Sequence, residues 1–338
     1  MNREGYPIEG FYLETPERFF FAAKGVVQSP AKVFAVLRYI PHPQGDRIRG
    51  GEKFKRLYDF QEQEKFLESF PHYLFFDPFL GIRLQCVPRD LIKKVFDPRE
   101  KLRELKNHAQ DPLEEAVCDF ANLLKSISGV PWENFGVSGS LLLSLHLPQS
   151  DLDLLVYGEE KSRRVYAALK EIFKSAKGEL KALDEEDLVR LYRQRSQEPA
   201  LSLEEFRRTE KGKVLQGRFR GREYFIRLVK EPWEIGEKYG EIKYSPAGKV
   251  KIRARVIDAS QGIFTPCLYQ IDRVKVLEGE KGEIPQEVFS FRGRYCEQAT
   301  EGTEVLVRGN LERMDFQDGR VQFRVLLTGA DDFFIPCP

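Results

Sequence analysis

Hydrophobic periodicity changes along this chain, and each change marks a new kind of element. Residues 18–23 and 32–37 are short runs of phenylalanine, valine and alanine divided by Ser29-Pro30, which predicts two strands joined at a hairpin or sheet corner. From 112 to 124 the apolar residues fall at helical spacing, and the spacing recurs over 161–175, where Val165, Leu169, Ile172 and Phe173 share one side. Between these helices the pattern predicts a strand running through 135–138, a short apolar helix over 141–145 and a strand over 151–156. Residues 185–210 read as further helix broken at Pro199, and 213–229 as a hairpin turning at Gly221. Beyond 240, alternation of period two dominates over 249–256, 268–276, 304–309 and 319–325, with turn residues at short intervals, as in a small closed barrel.

These segments predict an α+β protein in three parts, and 338 residues is more than one core usually holds. The first, 1–105, is a β-rich domain. The second, 106–235, combines a mixed sheet with helices. The third, 236–338, is a small β-barrel of the class that includes oligonucleotide-binding folds.

The densest chemistry lies in the second part, where Gly139-Ser140 stands between a strand and a short helix and ten residues separate it from Asp151-Leu152-Asp153. A glycine lets the backbone approach a triphosphate closely, and the N–H groups of an opening helix favour anions. Residues two apart in a strand face the same way, so Asp151 and Asp153 are expected to project together. Two such carboxylates make a hard oxygen site suited to Mg2+, which keeps positions for water and substrate phosphate.

The Gly-Ser turn, its interval and the Asp-x-Asp between apolar neighbours resemble the polymerase-beta-type nucleotidyltransferase superfamily. The order of segments over most of the chain is also similar to an uncharacterised prokaryotic family of predicted nucleotidyltransferases. The resemblance implies a polymerase-beta-like nucleotidyltransferase core. It implies transfer of a nucleotidyl group from a nucleoside triphosphate such as ATP to an acceptor, with Mg2+ or Mn2+ held by Asp151 and Asp153 and phosphates cradled at Gly139 and Ser140. Superfamily enzymes place a third carboxylate on a later strand. Here the flanked position of 224–229 holds Arg227, which suits phosphate. Glu223 shares its face by period-two counting and is the nearest carboxylate to complete the site. With Glu223 in place the chain is an enzyme; without it, the alternative is a catalytically degenerate protein that binds nucleotide or nucleic acid.

A formal charge of +1 means that any contact with RNA or other nucleic acid must come from local patches. Two candidates stand out. Residues 45–56 form a glycine-bearing loop with five basic and two acidic residues, either simply solvated or a phosphate contact. Arg253, Arg255, Arg292, Arg294 and Arg308, with Phe289, Phe291 and Tyr295, give either a stacking surface or an ordinary core with solvated arginines. The five cysteines form no Cys-x-x-Cys pair, and His146 reads as packed or solvated because magnesium prefers oxygen. No apolar run is long enough to span a bilayer and residues 1–5 carry no secretion core, so a cytoplasmic protein without membrane contact is expected.

Overall fold

Strand Lys32–Pro41 alternates as far as Leu37, with Val33, Ala35 and Leu37 turned into one core. It organises the N-terminal part of the chain. The computed structural model describes residues 7–174, 178–195, 201–279 and 282–337. The ends of the chain at 1–5, the expected helix end at Ser175 and the expected break at Pro199 lie outside the described residues. The chain divides into two units: Met1–Asp77, Arg83–Leu180 and Leu215–Tyr239 in the first, Pro78–Ile82, Lys181–Val214 and Gly240–Pro338 in the second.

The first unit contains two sheets. In one, Arg47–Arg49, Glu52–Arg56, Lys32–Pro41, Phe20–Ala23, Tyr12–Glu14 and Lys94–Phe96 lie side by side in that order, with Ile82–Pro88 and Leu74–Asp77 branching from Lys32–Pro41. The segment expected as a basic loop is instead a hairpin. Gly50 and Gly51 both adopt positive φ, which permits a tight two-residue connection, and Arg47 turns inward to donate to the Leu145 carbonyl at 3.1 Å.

The second sheet runs Gln216–Phe219, Arg222–Val229, Leu152–Tyr157, Phe135–Val137, edged by Leu180–Lys181. Leu152–Tyr157 is parallel to Arg222–Val229 and antiparallel to Phe135–Val137. Central strands buried on both faces read as continuous apolar runs. Leu152, Leu154, Leu155, Val156 and Tyr157 are all fully buried, each aliphatic side chain stabilising the unit by about 1.5–3 kcal/mol. On one face Tyr224 meets Phe120 of helix Pro112–Ser128, 4.7 Å between ring centres. On the other, Leu155, Tyr157 and Val229 join Ile8, Phe11 and Leu37 in one core. Helix Pro112–Ser128 begins at Asp111, whose side chain accepts from the Leu113 and Glu114 N–H groups, and ends at left-handed Gly129.

The second unit holds helices Glu185–Arg195 and Leu203–Glu210, the latter opened by a Ser202/Glu205 capping box. Its sheet closes on itself. Ile242–Asp258 pairs with Cys267–Glu278, then Glu287–Ser290, Val321–Leu326, Glu304–Phe316 and back to Ile242–Asp258, with Phe333–Pro336 added to Glu304–Phe316. Only Glu287–Ser290 with Val321–Leu326 is parallel. Among the described residues, no helix is long and apolar enough to cross a membrane.

Candidate active site

The turn after Phe135–Val137 is pinned to the neighbouring strand, because the Ser138 N–H donates to the Asp153 carbonyl at 2.9 Å. The Ser138 hydroxyl, fully buried, donates to the Gly10 carbonyl at 2.8 Å. Gly139 follows at φ +63° and a side-chain carbon there would overlap the Asp153 carboxylate. Both conformation and space therefore demand glycine. Ser140 is buried at the start of the short helix Gly139–Leu142, and its carbonyl accepts from the Leu145 N–H at 2.9 Å. The leucines that follow anchor the turn: Leu142, Leu143 and Leu145 pack with Tyr12, Phe20, Tyr39 and Phe54 of the N-terminal sheet.

The two aspartates have separate surroundings. Asp153 lies within strand Leu152–Tyr157, its side chain 30% exposed, and Arg227 approaches it to 3.8 Å. Asp151 precedes the strand, is exposed, and lines an open groove of about 460 Å3 with Glu223, Arg218, Arg220 and Arg222. Glu223 is one residue before Tyr224, the register partner of Leu152, so Asp151 and Glu223 meet across adjacent strands. Arg218 lies 3.6 Å from Glu223, Arg222 donates to the Pro148 carbonyl at 2.6 Å, and Arg220 is bonded to Glu179 and Asp119.

A further carboxylate, absent from the sequence reading, sits behind Asp153. Glu9 is fully buried and accepts from Arg227 at 3.3 Å, Lys24 at 3.0 Å and the Gly25 N–H at 2.9 Å. Burial would push its carboxyl up; Lys24, Arg227 and the Gly25 N–H outweigh that and hold it below the usual carboxylate range. Burial likewise pushes the Arg227 guanidinium down, and Asp153 with Glu9 more than reverses it. Arg227 thus bridges a buried acid and a half-exposed one. Its only sequence signal was a charge flanked by apolar residues in a strand, and Glu9 offered just one acid between Ile8 and Gly10.

Metal-ligating capacity can be located by convergence. Among the described residues the group of three whose ligand atoms lie within 4.8 Å of one another is Asp111, Glu114 and His146; Asp151, Asp153 and Glu223 do not converge so closely. The former trio is already engaged: His146 Nε2 is 2.7 Å from Asp111, which caps its helix, and Glu114 accepts from the Gln110 N–H at 2.8 Å. Asp151 and Asp153 offer hard oxygen ligands that are open to solvent, the donor type a magnesium or manganese ion takes.

A Gly-Ser turn leading to an acidic strand on a mixed sheet defines a class, and a family model described as a nucleotidyltransferase domain matches residues 117–215. That span includes Gly139, Ser140, Asp151 and Asp153 and ends before Glu223 and Arg227. An uncharacterized protein of Methanocaldococcus jannaschii, MJ1086, is 32% identical over 334 residues, covering 96% of each chain. The chain belongs to the family of that archaeal protein and carries a nucleotidyltransferase domain. No solved structure matches it.

Proposed function

We propose that the protein transfers a nucleotidyl group from a nucleoside triphosphate to an acceptor hydroxyl, with Mg2+ or Mn2+ held by Asp151 and Asp153. The observation that carries this reading is the fixed approach of the Gly139 backbone to the Asp153 carboxylate, within a nucleotidyltransferase domain. A bound divalent ion would offset charge on the phosphates and favour the deprotonated acceptor. The chain's own groups do the rest. Backbone N–H groups at Gly139 and Ser140 receive phosphate oxygens, and Arg227 stands beside Asp153 to neutralise further charge. Glu223, across from Asp151, takes the acceptor proton as its oxygen attacks the α-phosphorus and pyrophosphate departs in line. The acceptor is a polyanion in this reading. The closed strand ring of the second unit, with its single parallel pairing, supports an oligonucleotide-binding-type barrel for RNA.

The test is a screen of labelled nucleoside triphosphates with Mg2+ or Mn2+, on the parent protein and on Asp151→Asn and Asp153→Asn. Transfer by the parent and its loss in both variants, with unchanged circular dichroism, is expected. Undiminished nucleotide affinity and turnover in the variants would overturn the assignment.

A second reading has its own support. Arg227 is engaged with Asp153, and Asp151, Asp153 and Glu223 do not all converge within 4.8 Å of one another, which suits nucleotide binding without turnover. Saturable, metal-dependent nucleotide binding with no labelled product from any acceptor pool would favour it.

A further inference from the structure

We infer that Arg38 and Arg56, carried by the N-terminal sheet, form with Arg227 a polyphosphate subsite beside Asp153 for the tail of the bound nucleotide. This rests on the nucleotide reading given above and adds residues from outside the nucleotidyltransferase domain.

Three features of the sheet place them. Phe20 pairs with Tyr39 and Phe21 with Leu37, so Arg38 is the extra residue of a β-bulge. Bulges re-aim side chains, and this one interrupts the alternation of Lys32–Pro41 at its only cation after Lys32. Arg56 lies opposite Tyr39 on the next strand, its guanidinium 5.9 Å from the centre of the Tyr39 ring and 4.6 Å from that of Tyr58. Its Nε is buried and makes no hydrogen bond.

The charges do not balance. Arg38 is within electrostatic reach of Arg56, Arg227 and Lys24, and Arg56 is within reach of Asp153. Burial pushes the Arg38 guanidinium below its usual value, and Arg56 and Arg227 push in the same direction. Burial pushes Arg56 down too, but Tyr39, Tyr12, Tyr58 and Asp153 more than reverse it, so the uncompensated charge lies at Arg38. The two acids of this cluster, Glu9 and Asp153, are already shared by Lys24 and Arg227. Among the described residues no carboxylate ion-pairs with Arg38 or Arg56. Desolvated like charges without a counter-ion repel strongly, and a multiply charged anion relieves that repulsion. Both arginines remain half-buried, within reach of a ligand, and a planar guanidinium suits two phosphate oxygens at once.

The probe is inorganic tripolyphosphate, titrated calorimetrically into the full chain with chelator and no divalent ion, alongside inorganic phosphate and ATP. Arg38→Gln and Arg56→Gln should each weaken tripolyphosphate at least about tenfold, while Arg38→Lys retains more affinity and Lys174→Gln, on the outer surface, changes nothing. Affinities within about twofold of the parent in both glutamine variants, with native circular dichroism, would overturn the subsite. On the unaltered protein, tripolyphosphate should protect Arg38 and Arg56 from phenylglyoxal, read by mass spectrometry; equal modification with and without it also overturns the proposal. ATP should compete with tripolyphosphate. If only inorganic phosphate does, the assignment to a nucleotide tail falls. Loss of tripolyphosphate binding in the arginine variants, in a protein that transfers no nucleotide, leaves the subsite standing while the transferase reading fails.

Discussion

Gly139 shows how little freedom a single position can have. Its left-handed φ costs an alanine about 1–2 kcal/mol, and the added carbon must also displace the Asp153 carboxylate. Gly139→Ala is therefore expected to lower the melting temperature by a few degrees and nucleotide affinity by at least about tenfold, because the displaced group is a proposed metal ligand. Unchanged affinity, measured by calorimetry with Mg2+ and ATP, would make this glycine a structural turn only. Glu9 makes the opposite kind of prediction, about stability. Its folded pKa lies below the unfolded value of about 4.3, so its contribution is complete above that value and is lost as pH falls through the folded one. Glu9→Gln leaves Lys24 and Arg227 short of a buried counter-charge and should cost about 3–5 kcal/mol at neutral pH. It should also flatten the acid limb of stability below pH about 4. Urea melts of parent and variant between acid and neutral pH measure both, and parallel curves would remove Glu9 from the electrostatic framework.

Elements were legible where a local rule decides them. Helical spacing located Pro112–Ser128 and Glu159–Lys174, and the glycine at 221, with φ +83°, turns the hairpin of Gln216–Phe219 and Arg222–Val229. The Gly-Ser turn and the acidic strand were readable for the same reason: turn, interval and strand are contiguous. Asp151, just before the strand, lines the groove with Glu223, and Asp153 stands against Gly139. Glu9, Arg38 and Arg56 were not readable, because they reach Arg227 or Asp153 only through packing of segments about 100 or more residues apart, and a bulge leaves no periodic trace. The basic hairpin at 47–56 looks like a loop in the sequence because its two glycines resemble breakers, although positive φ is what a tight hairpin needs. Helix Pro112–Ser128 carries an element-scale test. Asp111 caps it by accepting from the Leu113 and Glu114 N–H groups and also holds His146, so Asp111→Ala should destabilise the protein by about 1–2 kcal/mol without changing nucleotide affinity. A loss of affinity at full stability would instead point to chemistry at Asp111.

At the scale of the molecule, the question is how a chain with a formal charge of only +1 would hold a polyanionic acceptor. The second unit distributes its arginines unequally. Arg324 is buried, paired with Glu312 at 2.7 Å and set over the rings of Tyr244 and Phe289, so it serves the core. Tyr295 is likewise internal, its hydroxyl donating to the Asp332 carbonyl at 2.7 Å, which removes it from any stacking surface. Arg253 is 57% exposed and only 3.6 Å from Glu304, and Arg255 follows on the same face of Ile242–Asp258. Exposed pairs of this kind are worth little to stability, about 0–1 kcal/mol, and leave the arginine available to phosphate. Replacing both in the full chain, Arg253→Ala with Arg255→Ala, should therefore leave the melting temperature nearly unchanged. It should weaken single-stranded RNA binding and reduce the slope of log affinity against log salt by about one to two, because fewer counterions are released. Affinity measured at several salt concentrations checks this. A slope identical to the parent's would take the strand ring out of acceptor binding and direct the search for an acceptor to a small molecule or a protein hydroxyl.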